Sequence, residues 1–577
     1  MNHYLLTTAG VLAAMAVTSC VDDKYDLSDI DTTAEIKVTD LTIPVNIDPI
    51  TLKSAFDLDP DDPNAKVKEV DGIYAVVEDG SFTSNDIKIN PVTLRGTSGE
   101  PTVISISNSI PATIPAGTKV SADIPEAGVD FKFESYDVPA EILDIEGVDA
   151  SFNLSLNITI PALSNCISKY TFRDLKLQFP AKLDATANVG SYDNATGVVT
   201  IAESVVKANE GLVVTLACKT LDFKALGGTF DAATHHAKLD KNLSVKGGKI
   251  ELDGANVTSA LPSSVSASLT VGVSNIYVKS FTGQIQYSIK GVNISPVAIT
   301  ELPDILSQGE TTISIVNPQV YLTVNSPLSP YNLGAETDFS IVSHFKDGSE
   351  SQPAMLDNGA FKISSAPTSQ YLLCPDPEAV SKYYEGYTNP APVKFSKLAD
   401  VFKGPGIPDM LNIKLVNPNV YVQPVTKLPI DQPLGSVSGQ YQFYAPLALG
   451  EGSKVVYTST EDGWNDEDVD AIVVERLEVA TTVSSDCQFD LDFTGYPIDV
   501  NGNQISGVKI EGAKVPAGAK DLPIVIKITG EVTHLDGITF TATGYVPSSM
   551  TTPLSPSQTL SCKDIRATVS GHYTKEL

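Results

Sequence analysis

Hydrophobic and polar residues alternate with a period of two along most of the chain. In residues 152–160, FNLSLNITI, the apolar positions are Phe152, Leu154, Leu156, Ile158 and Ile160, with polar residues between them. Because successive side chains of a strand point to opposite faces, this pattern predicts a strand that is buried on one side. The runs SASLTVGVSNIYV, FTGQIQYSI, TISIVNPQVYLTV and LPIVIKITGEV have the same alternation. Many short strands separated by glycine and proline predict an all-β protein of several stacked, antiparallel β-sandwich-like domains.

A helical period interrupts this pattern near residues 376–403. In CPDPEAVSKYYEGY, Asp376 can cap a helix whose first residue is Pro377, and KFSKLADVFKG then carries a second apolar face. We therefore expect a small two-helix insertion. Tyr383, Tyr384 and Tyr387 share one face of the first predicted helix. That face either caps the end of a sandwich or forms a platform for stacking a sugar, and the sequence leaves both alternatives open.

An internal repeat lies on either side of this insertion. ISIVNPQVY begins at residue 313 and IKLVNPNVY begins at residue 413. The spacing is close to the size of a small sandwich domain, ~100 residues. Proline cannot donate a hydrogen bond to a neighbouring strand, so each Asn-Pro pair predicts a sheet edge or a β-bulge.

The length of 577 residues predicts several domains rather than one core. The tail SQTLSCKDIRATVSGHYTKEL alternates and is expected to add a final strand. From these patterns we predict six segments in chain order: a lipoprotein signal peptide at 1–19, a flexible acidic tether at 20–35, a β domain at 36–165, a second at 166–290, a third at 291–405 that contains the helical insertion, and a C-terminal β region at 406–577.

Charge narrows the choice of partners. The chain has 39 Lys and Arg residues against 70 Asp and Glu residues, a formal net charge of −31. Such a field repels phosphate backbones, so nucleic acid is not an expected partner.

The N-terminal segment predicts that the protein is exported and attached to a membrane. Residues 4–19 form an apolar run that is too short to span a bilayer but has the length of a signal-peptide core. The sequence that follows, VTSC ending at Cys20 and then VDDKYDLSDIDTT, resembles the lipobox and acidic tether of Bacteroidota-type outer-membrane lipoproteins. The resemblance covers residues 1–33. It implies that Cys20 carries the lipid anchor, that the protein faces the cell exterior on the outer membrane, and that Thr32 is a candidate for O-glycosylation.

The sequence contains no recognised catalytic motif, which favours a protein that is not an enzyme and uses no cofactor. The adjacent pair His235 and His236 is too small a set for a metal site and is expected in a surface turn. Acidic clusters that begin at Asp57 and Asp466 lack the glycine and glutamate of a calcium loop, so no metal is predicted. Trp464, the only tryptophan, could stack on a sugar or cover the edge of a domain.

Five cysteines follow the anchor: Cys166, Cys218, Cys374, Cys487 and Cys562. They are widely spaced and form no C-x-x-C pair. Small buried thiols in strands are the simplest interpretation, and no disulfide pairing is assigned.

These features favour a cell-surface lipoprotein with a non-catalytic binding, adhesive or structural role. An alternative is a glycan-binding accessory protein of an outer-membrane polysaccharide-uptake system. A surface hydrolase that uses an unrecognised carboxylate pair, and a fimbria-like subunit, are weaker alternatives.

Overall fold

The computed structural model describes residues 33–44, 50–56, 58, 65–106, 110–299, 302–307, 310–465 and 472–576. Cys20 and Thr32 lie outside these residues, as do most of the acidic cluster from Asp57 and the whole of the cluster from Asp466. The chain forms two compact units. Unit 1 comprises Met1–Phe56, Lys454–Pro547 and Ser557–Leu577, and unit 2 comprises Asp57–Ser453 and Ser548–Pro556. The boundaries expected at 165, 290 and 405 fall inside unit 2 and remain predictions.

The prediction of an all-β fold with several antiparallel, sandwich-like sheets is confirmed. In unit 1, one sheet orders its strands as Thr33–Pro44, Thr559–Glu576, Ile472–Ser485, Leu522–Val532 and Lys509–Glu511, with Ile50–Thr51 also paired to Thr559–Glu576. A second sheet contains Lys454–Glu461, Leu535–Tyr545, Asp490–Asp499 and Ala513–Val515. Leu477 and Val569 of the first sheet share a buried cluster with Ile538 of the second, so the sheets form a sandwich. A short helix spans Leu52–Phe56.

Two features of unit 1 were expected from the alternation of its sequence. LPIVIKITGEV forms the strand Leu522–Val532, and the alternating tail forms Thr559–Glu576. The strand Thr33–Pro44 begins inside the segment expected to be a tether at 20–35.

Most strands of unit 2 belong to a large, branched set of sheets. Its strands are Thr93–Ser98, Thr102–Ile106, Lys119–Asp123, Ala127–Ser135, Ile142–Thr159, Lys169–Gln178, Ala185–Ala187, Ser191–Asp193, Val198–Lys207, Leu212–Leu221, Thr229–Asp231, His236–Asp253, Val265–Val273, Ile276–Ser288, Val297–Ala298, Ala335–His344, Ala354–Met355, Phe361–Ile363 and Met410–Pro429.

A further sheet of unit 2 orders its strands as Ala391–Lys394, Thr368–Cys374, Gln319–Asn325, Ser438–Pro446, Ile73–Thr83 and Val67–Val70, and a small pair joins Ile87–Lys88 to Pro433–Gly435. The short helices of the unit are Pro161–Leu163, Gly254–Asn256, Asp304–Ser307, Ser329–Tyr331, Pro377–Ala379 and Ser396–Phe402. None of the helices in the described part of the chain has the length and apolar character needed to cross a bilayer.

The half-buried strand predicted at 152–160 is present as the end of Ile142–Thr159. Phe152, Leu154, Leu156, Ile158 and Ile160 are all at most 4% exposed. The alternation therefore identified the buried face correctly.

Long strands of unit 2 change partners along their length, and glycines mark one such change. His236–Asp253 pairs with Ala127–Ser135 as far as Val245 and with Lys119–Asp123 from Lys249 onward. Between these two pairings, Gly247 and Gly248 have φ angles of 134° and 152°. Residues with a side chain rarely adopt these φ angles, so the glycine pair allows one strand to pair with two different neighbours along its length.

The two repeat copies lie in different sheets. Gln319–Asn325 pairs with Ser438–Pro446, a strand shortly after the second copy, and Met410–Pro429 pairs with Ala335–His344, the strand that follows the first. The predicted bulge is confirmed in the second copy. Its register shifts where Val416 and Asn419 face Asp338 and Glu336, which leaves the Asn-Pro pair between them unpaired.

The two expected helices of the insertion occur as short 3-10 helices rather than longer α-helices. Asp376 caps Pro377–Ala379 and accepts a hydrogen bond from the Glu378 N–H, as expected from the sequence. That helix ends at once because Val380 returns to an extended conformation, with φ −86° and ψ 100°. The tyrosines that follow are therefore placed by loop contacts and not by a helical period.

Candidate binding site: a tyrosine-lined cleft

One face of the sheet in unit 2 that contains Gln319–Asn325 carries an aromatic floor. Tyr321 and Tyr444 come from adjacent strands, and Leu372, Cys374 and Ala75 extend the same buried cluster. Tyr321 is fully buried, and its hydroxyl donates to the Gln319 Oε1 at 2.6 Å. This internal hydrogen bond satisfies a polar group that is costly to bury alone.

Segment 375–388 crosses this floor and is held at both ends by side-chain amides. The Asn317 Nδ2 donates to the Asp376 carbonyl at 3.1 Å, and the Asp376 N–H donates back to the Asn317 Oδ1 at 3.0 Å. At the other end, the Gln370 Nε2 donates to the Gly386 carbonyl, and the Thr388 N–H donates to the Gln370 Oε1, both at 3.1 Å. A reciprocal pair of this kind mimics strand pairing and fixes a loop that has no regular structure of its own.

The tyrosines of this segment pack on the floor. The Tyr384 ring lies 5.1 Å from that of Tyr444 and 6.2 Å from that of Tyr321, measured between ring centroids. Tyr387 approaches Tyr321 more closely, at 4.9 Å. These centroid separations lie within the range of roughly 4.5–7 Å over which aromatic pairs pack favourably. Tyr383 is not a member of the buried cluster and is 37% exposed.

A cleft of about 870 Å³ opens beside this cluster. Its apolar wall includes Val316, Val380, Tyr384, Tyr444 and Met550, all from unit 2. Its rim is polar and carries Glu69, Asp71, Lys382, Tyr383 and Glu385. We call this feature the tyrosine cleft. An apolar wall with a few polar groups at the rim is the usual composition of a ligand site, and the volume lies within the range of roughly 300–1,000 Å³ that such sites occupy.

Electrostatics keep the aromatic wall neutral. Burial raises the pKa of Tyr321 and of Tyr444 to about 12, and it also raises the pKa of Tyr384. These phenols therefore stay protonated at physiological pH and can donate hydrogen bonds but cannot act as bases. At the rim, Lys382 and Asp71 form an ion pair of 2.6 Å in which both side chains are largely exposed. Such a pair adds little to stability and is free to rearrange around a ligand.

The residues predicted from the sequence to contact a ligand lie in three different environments in the structure. Tyr384 and Tyr387 serve mainly as packing on the floor, whereas Tyr383 is exposed at the rim of the cleft. Trp464 lies in unit 1, where it is partly buried against the sandwich core, and its backbone N–H donates to the Asp536 carbonyl at 2.7 Å. Whether any of these residues contacts a ligand remains a prediction.

The histidine pair lies where a turn leads into a strand. His235 has a φ of 56° in the turn before the strand that begins at His236. Within the described residues, no group of three or more His, Cys, Asp and Glu side chains is positioned to hold a metal ion. In the part of the chain that the structure describes, the five cysteines Cys166, Cys218, Cys374, Cys487 and Cys562 form no disulfide. Burial raises the pKa of Cys218 and of Cys374 to about 12, so these thiols are poor nucleophiles.

Sequence reasoning missed several residues of the cleft. Tyr444, Asp71 and Asn317 come from three distant segments that only the sheet brings together. Asn317 had a usable signal, since it is the asparagine of the first repeat copy. Tyr444 and Asp71 had none, because each lies in an ordinary strand or turn sequence.

Comparison with known proteins does not assign the chain to a family. No protein-family model matches the chain, and no curated protein matches it. Among solved structures, a protein from Parabacteroides distasonis ATCC 8503, described as secreted, is similar at 14% identity with a TM-score of 0.37, over 51% of this chain and 90% of that one. The structure of Broad Bean Stain Virus is similar at 11% identity with a TM-score of 0.13, over 51% of this chain and 89% of that one. Both TM-scores are too low to support an argument about this chain.

Proposed function

We propose that this chain is a lipid-anchored, non-catalytic binding protein of the bacterial outer surface, and that the tyrosine cleft is where it binds. The observation that carries the proposal is the cleft itself, which has an apolar tyrosine wall, an exposed tyrosine and a charged rim, and whose segment 375–388 is fixed at both ends by side-chain amides. A site whose groups are fixed before binding loses less conformational entropy when its ligand arrives.

Carbohydrate is the ligand class that the cleft fits best. One face of a pyranose ring consists of C–H groups that pack on an aromatic ring, and its hydroxyls need hydrogen-bond partners around the edge. Tyr383 and Tyr384 supply aromatic surface, while Asp71, Lys382 and Glu385 supply acceptors and donors. The net charge of −31 repels polyanions. We therefore propose a neutral glycan, in the manner of an accessory protein for polysaccharide uptake.

The test of this proposal is binding of the purified protein to soluble neutral polysaccharides in affinity gels. We expect retention by at least one polysaccharide and a loss of about fivefold or more in affinity for Tyr383→Ala. Tyr277→Ala is the matched control because Tyr277 is 64% exposed in the same unit but is not part of the cleft. Equal binding by Tyr383→Ala and the unaltered protein would rule out the cleft as the site.

The same preparations separate this proposal from the alternatives. Release of reducing ends from a retained polysaccharide would establish a hydrolase. Filaments on cells that disappear on deletion of the gene would favour a fimbria-like subunit. Normal cell adhesion by a Tyr383→Ala strain that has lost glycan binding would separate the glycan role from an adhesive one.

The proposed location has its own test. If Cys20 carries the lipid, Cys20→Ala should move the protein from the outer-membrane fraction to a soluble fraction, and protease added to intact cells should degrade the unaltered protein. A Cys20→Ala protein that remains in the membrane would contradict the anchor.

A further inference from the structure

A second aromatic surface of unit 2 lies at the end of the strand Ala127–Ser135. Tyr136 is 64% exposed. One face of its ring is covered by the imidazole of His236, with the ring centroids 4.3 Å apart and the planes only 4° from parallel. The exposed fraction therefore belongs largely to the opposite face of the Tyr136 ring, which is open to solvent.

A single carboxylate fixes this stack. The Tyr136 hydroxyl donates to the Glu134 Oε1 at 2.6 Å, and the His236 Nε2 lies 3.0 Å from the same oxygen. The Lys132 Nζ donates to the Glu134 Oε2 at 2.8 Å. We call Lys132, Glu134, Tyr136 and His236 the Tyr136 platform. Hydrogen bonding, from Lys132 first, lowers the pKa of Glu134 to about 2, so the carboxylate is charged at any physiological pH and the fixing bonds persist.

The platform differs from ordinary exposed aromatics of the same unit. Tyr277 is equally exposed, yet no stacking partner is found for it among the described residues. A single exposed apolar side chain needs no explanation. Tyr136 is instead held at the surface by stacking on His236 and by its hydrogen bond to Glu134, which reduces the conformational entropy that a ligand stacking on the ring would have to restrict.

Polar groups surround the platform and continue away from it. Strand pairing places Lys238 beside Glu134 and Asp240 beside Lys132. Lys132 and Asp240 also line an open cleft of about 800 Å³, together with Asp130 and Asn242. An aromatic face with closely spaced donors and acceptors, and a polar groove that starts at its edge, suits a chain of linked hydroxylated rings.

We propose that the Tyr136 platform is a second carbohydrate-binding site, on which one pyranose unit of a neutral polysaccharide stacks while neighbouring units follow the adjoining polar cleft. The platform lacks the dry apolar surroundings of a protein–protein hot spot. Lys132 and Lys238 are each paired with a carboxylate, Glu134 and Asp240, so the surroundings of Tyr136 carry no excess charge that would select an organic ion, and the net charge of the chain disfavours a nucleic acid. This inference goes beyond the proposed function and stands on different residues.

The experiment measures affinity for barley β-glucan, yeast α-mannan, soluble starch and arabinoxylan in affinity gels with the purified full chain. We expect Tyr136→Ala to weaken binding of at least one polysaccharide by about fivefold or more, and Tyr277→Ala to leave it unchanged. Tyr136→Phe keeps the ring but loses the bond to Glu134, so its affinity should fall between those of the unaltered protein and Tyr136→Ala. Circular dichroism of each variant checks that the fold is intact, as expected for an exposed position.

The outcomes separate this inference from the tyrosine cleft. Binding that depends on Tyr383 and not on Tyr136 overturns the platform alone, and binding that depends on Tyr136 and not on Tyr383 supports it while overturning the cleft. An equal loss for Tyr277→Ala, or no binding of the unaltered protein to any of the four polysaccharides, overturns the platform as well. Loss of cell adhesion in Tyr136→Ala without any glycan binding would assign the platform to a protein partner, against the proposal.

Discussion

The asparagines of the two repeat copies have the same sequence context but stabilise the fold in different ways, and substitution can separate these ways. Asn417 is exposed and has a φ of 50°, in the left-handed region. Its contribution is therefore to the backbone of the bulge. Asn317 instead contributes its side chain, through the two hydrogen bonds to Asp376.

The sizes of the two effects follow from these contacts. Alanine at 417 forces a side chain that cannot make the local hydrogen bonds of asparagine into the left-handed region, at a cost of about 1 kcal/mol in the free energy of unfolding. Asn417→Gly should remain close to the unaltered protein, since glycine adopts this conformation freely. At 317, either alanine or glycine removes both hydrogen bonds, with a local loss of about 1–2 kcal/mol.

Two measurements check this reasoning. For a unit of this size, calorimetry should show a decrease of about 1–2 °C in Tm for Asn417→Ala and little change for Asn417→Gly. Hydrogen exchange in segment 375–388 should accelerate about tenfold in both Asn317→Ala and Asn317→Gly, with Tm nearly unchanged. The reasoning is refuted if glycine and alanine at 417 lower Tm equally, or if glycine at 317 preserves the slow exchange.

Further substitutions and conditions test other parts of the structure. Gly248→Ala should lower the free energy of unfolding of unit 2 by about 1–3 kcal/mol in urea. The φ of Gly248 is 152°, and an added Cβ would lie 2.9 Å from the backbone of a neighbouring strand. An unchanged urea midpoint would contradict this prediction. Hydrogen bonding, first from Lys132, lowers the pKa of Glu134. The stabilisation that this carboxylate gives the folded state should therefore be complete above the ordinary pKa of 4.5 and should disappear as the pH falls toward 2. A carboxyl titration of Glu134 followed by NMR, with a midpoint near 4.5, would disprove this prediction. Burial raises the pKa of Cys218 and Cys374, so iodoacetamide at pH ~8 should label both only after unfolding, as resolved by peptide mass spectrometry; rapid native labelling would show that they are accessible.

Local patterns in the sequence predicted local structure well. The buried face from Phe152 to Ile160 follows from alternation alone, and the bulge at Asn417 follows from the proline after it. The insertion was harder, because the cap at Asp376 marks where a helix starts but not how soon it ends.

Long-range pairing could not be predicted in this way. Nothing near Gln319 indicates that its strand pairs with one more than a hundred residues later, yet that pairing brings Tyr444 beside Tyr321. The Tyr136 platform could not be predicted from the sequence for the same reason, since Glu134 and His236 are separated by 102 positions. Binding surfaces in such a fold depend on strand order, which the pattern of a single sequence does not contain.

The sheet order of unit 1 also determines when that unit can be completed. The strand Thr33–Pro44 pairs with Thr559–Glu576, and Asp40 and Ser570 are in contact although 530 positions separate them. A chain that leaves the ribosome or crosses a membrane from its N-terminus must therefore keep its first described strand unpaired until almost everything else has passed. Truncation before residue 559 would leave that strand with an open edge, a ready substrate for proteases. Completion of unit 1 therefore requires the last described strand of the chain to reach the first one, which begins at Thr33 within the segment expected to be a tether.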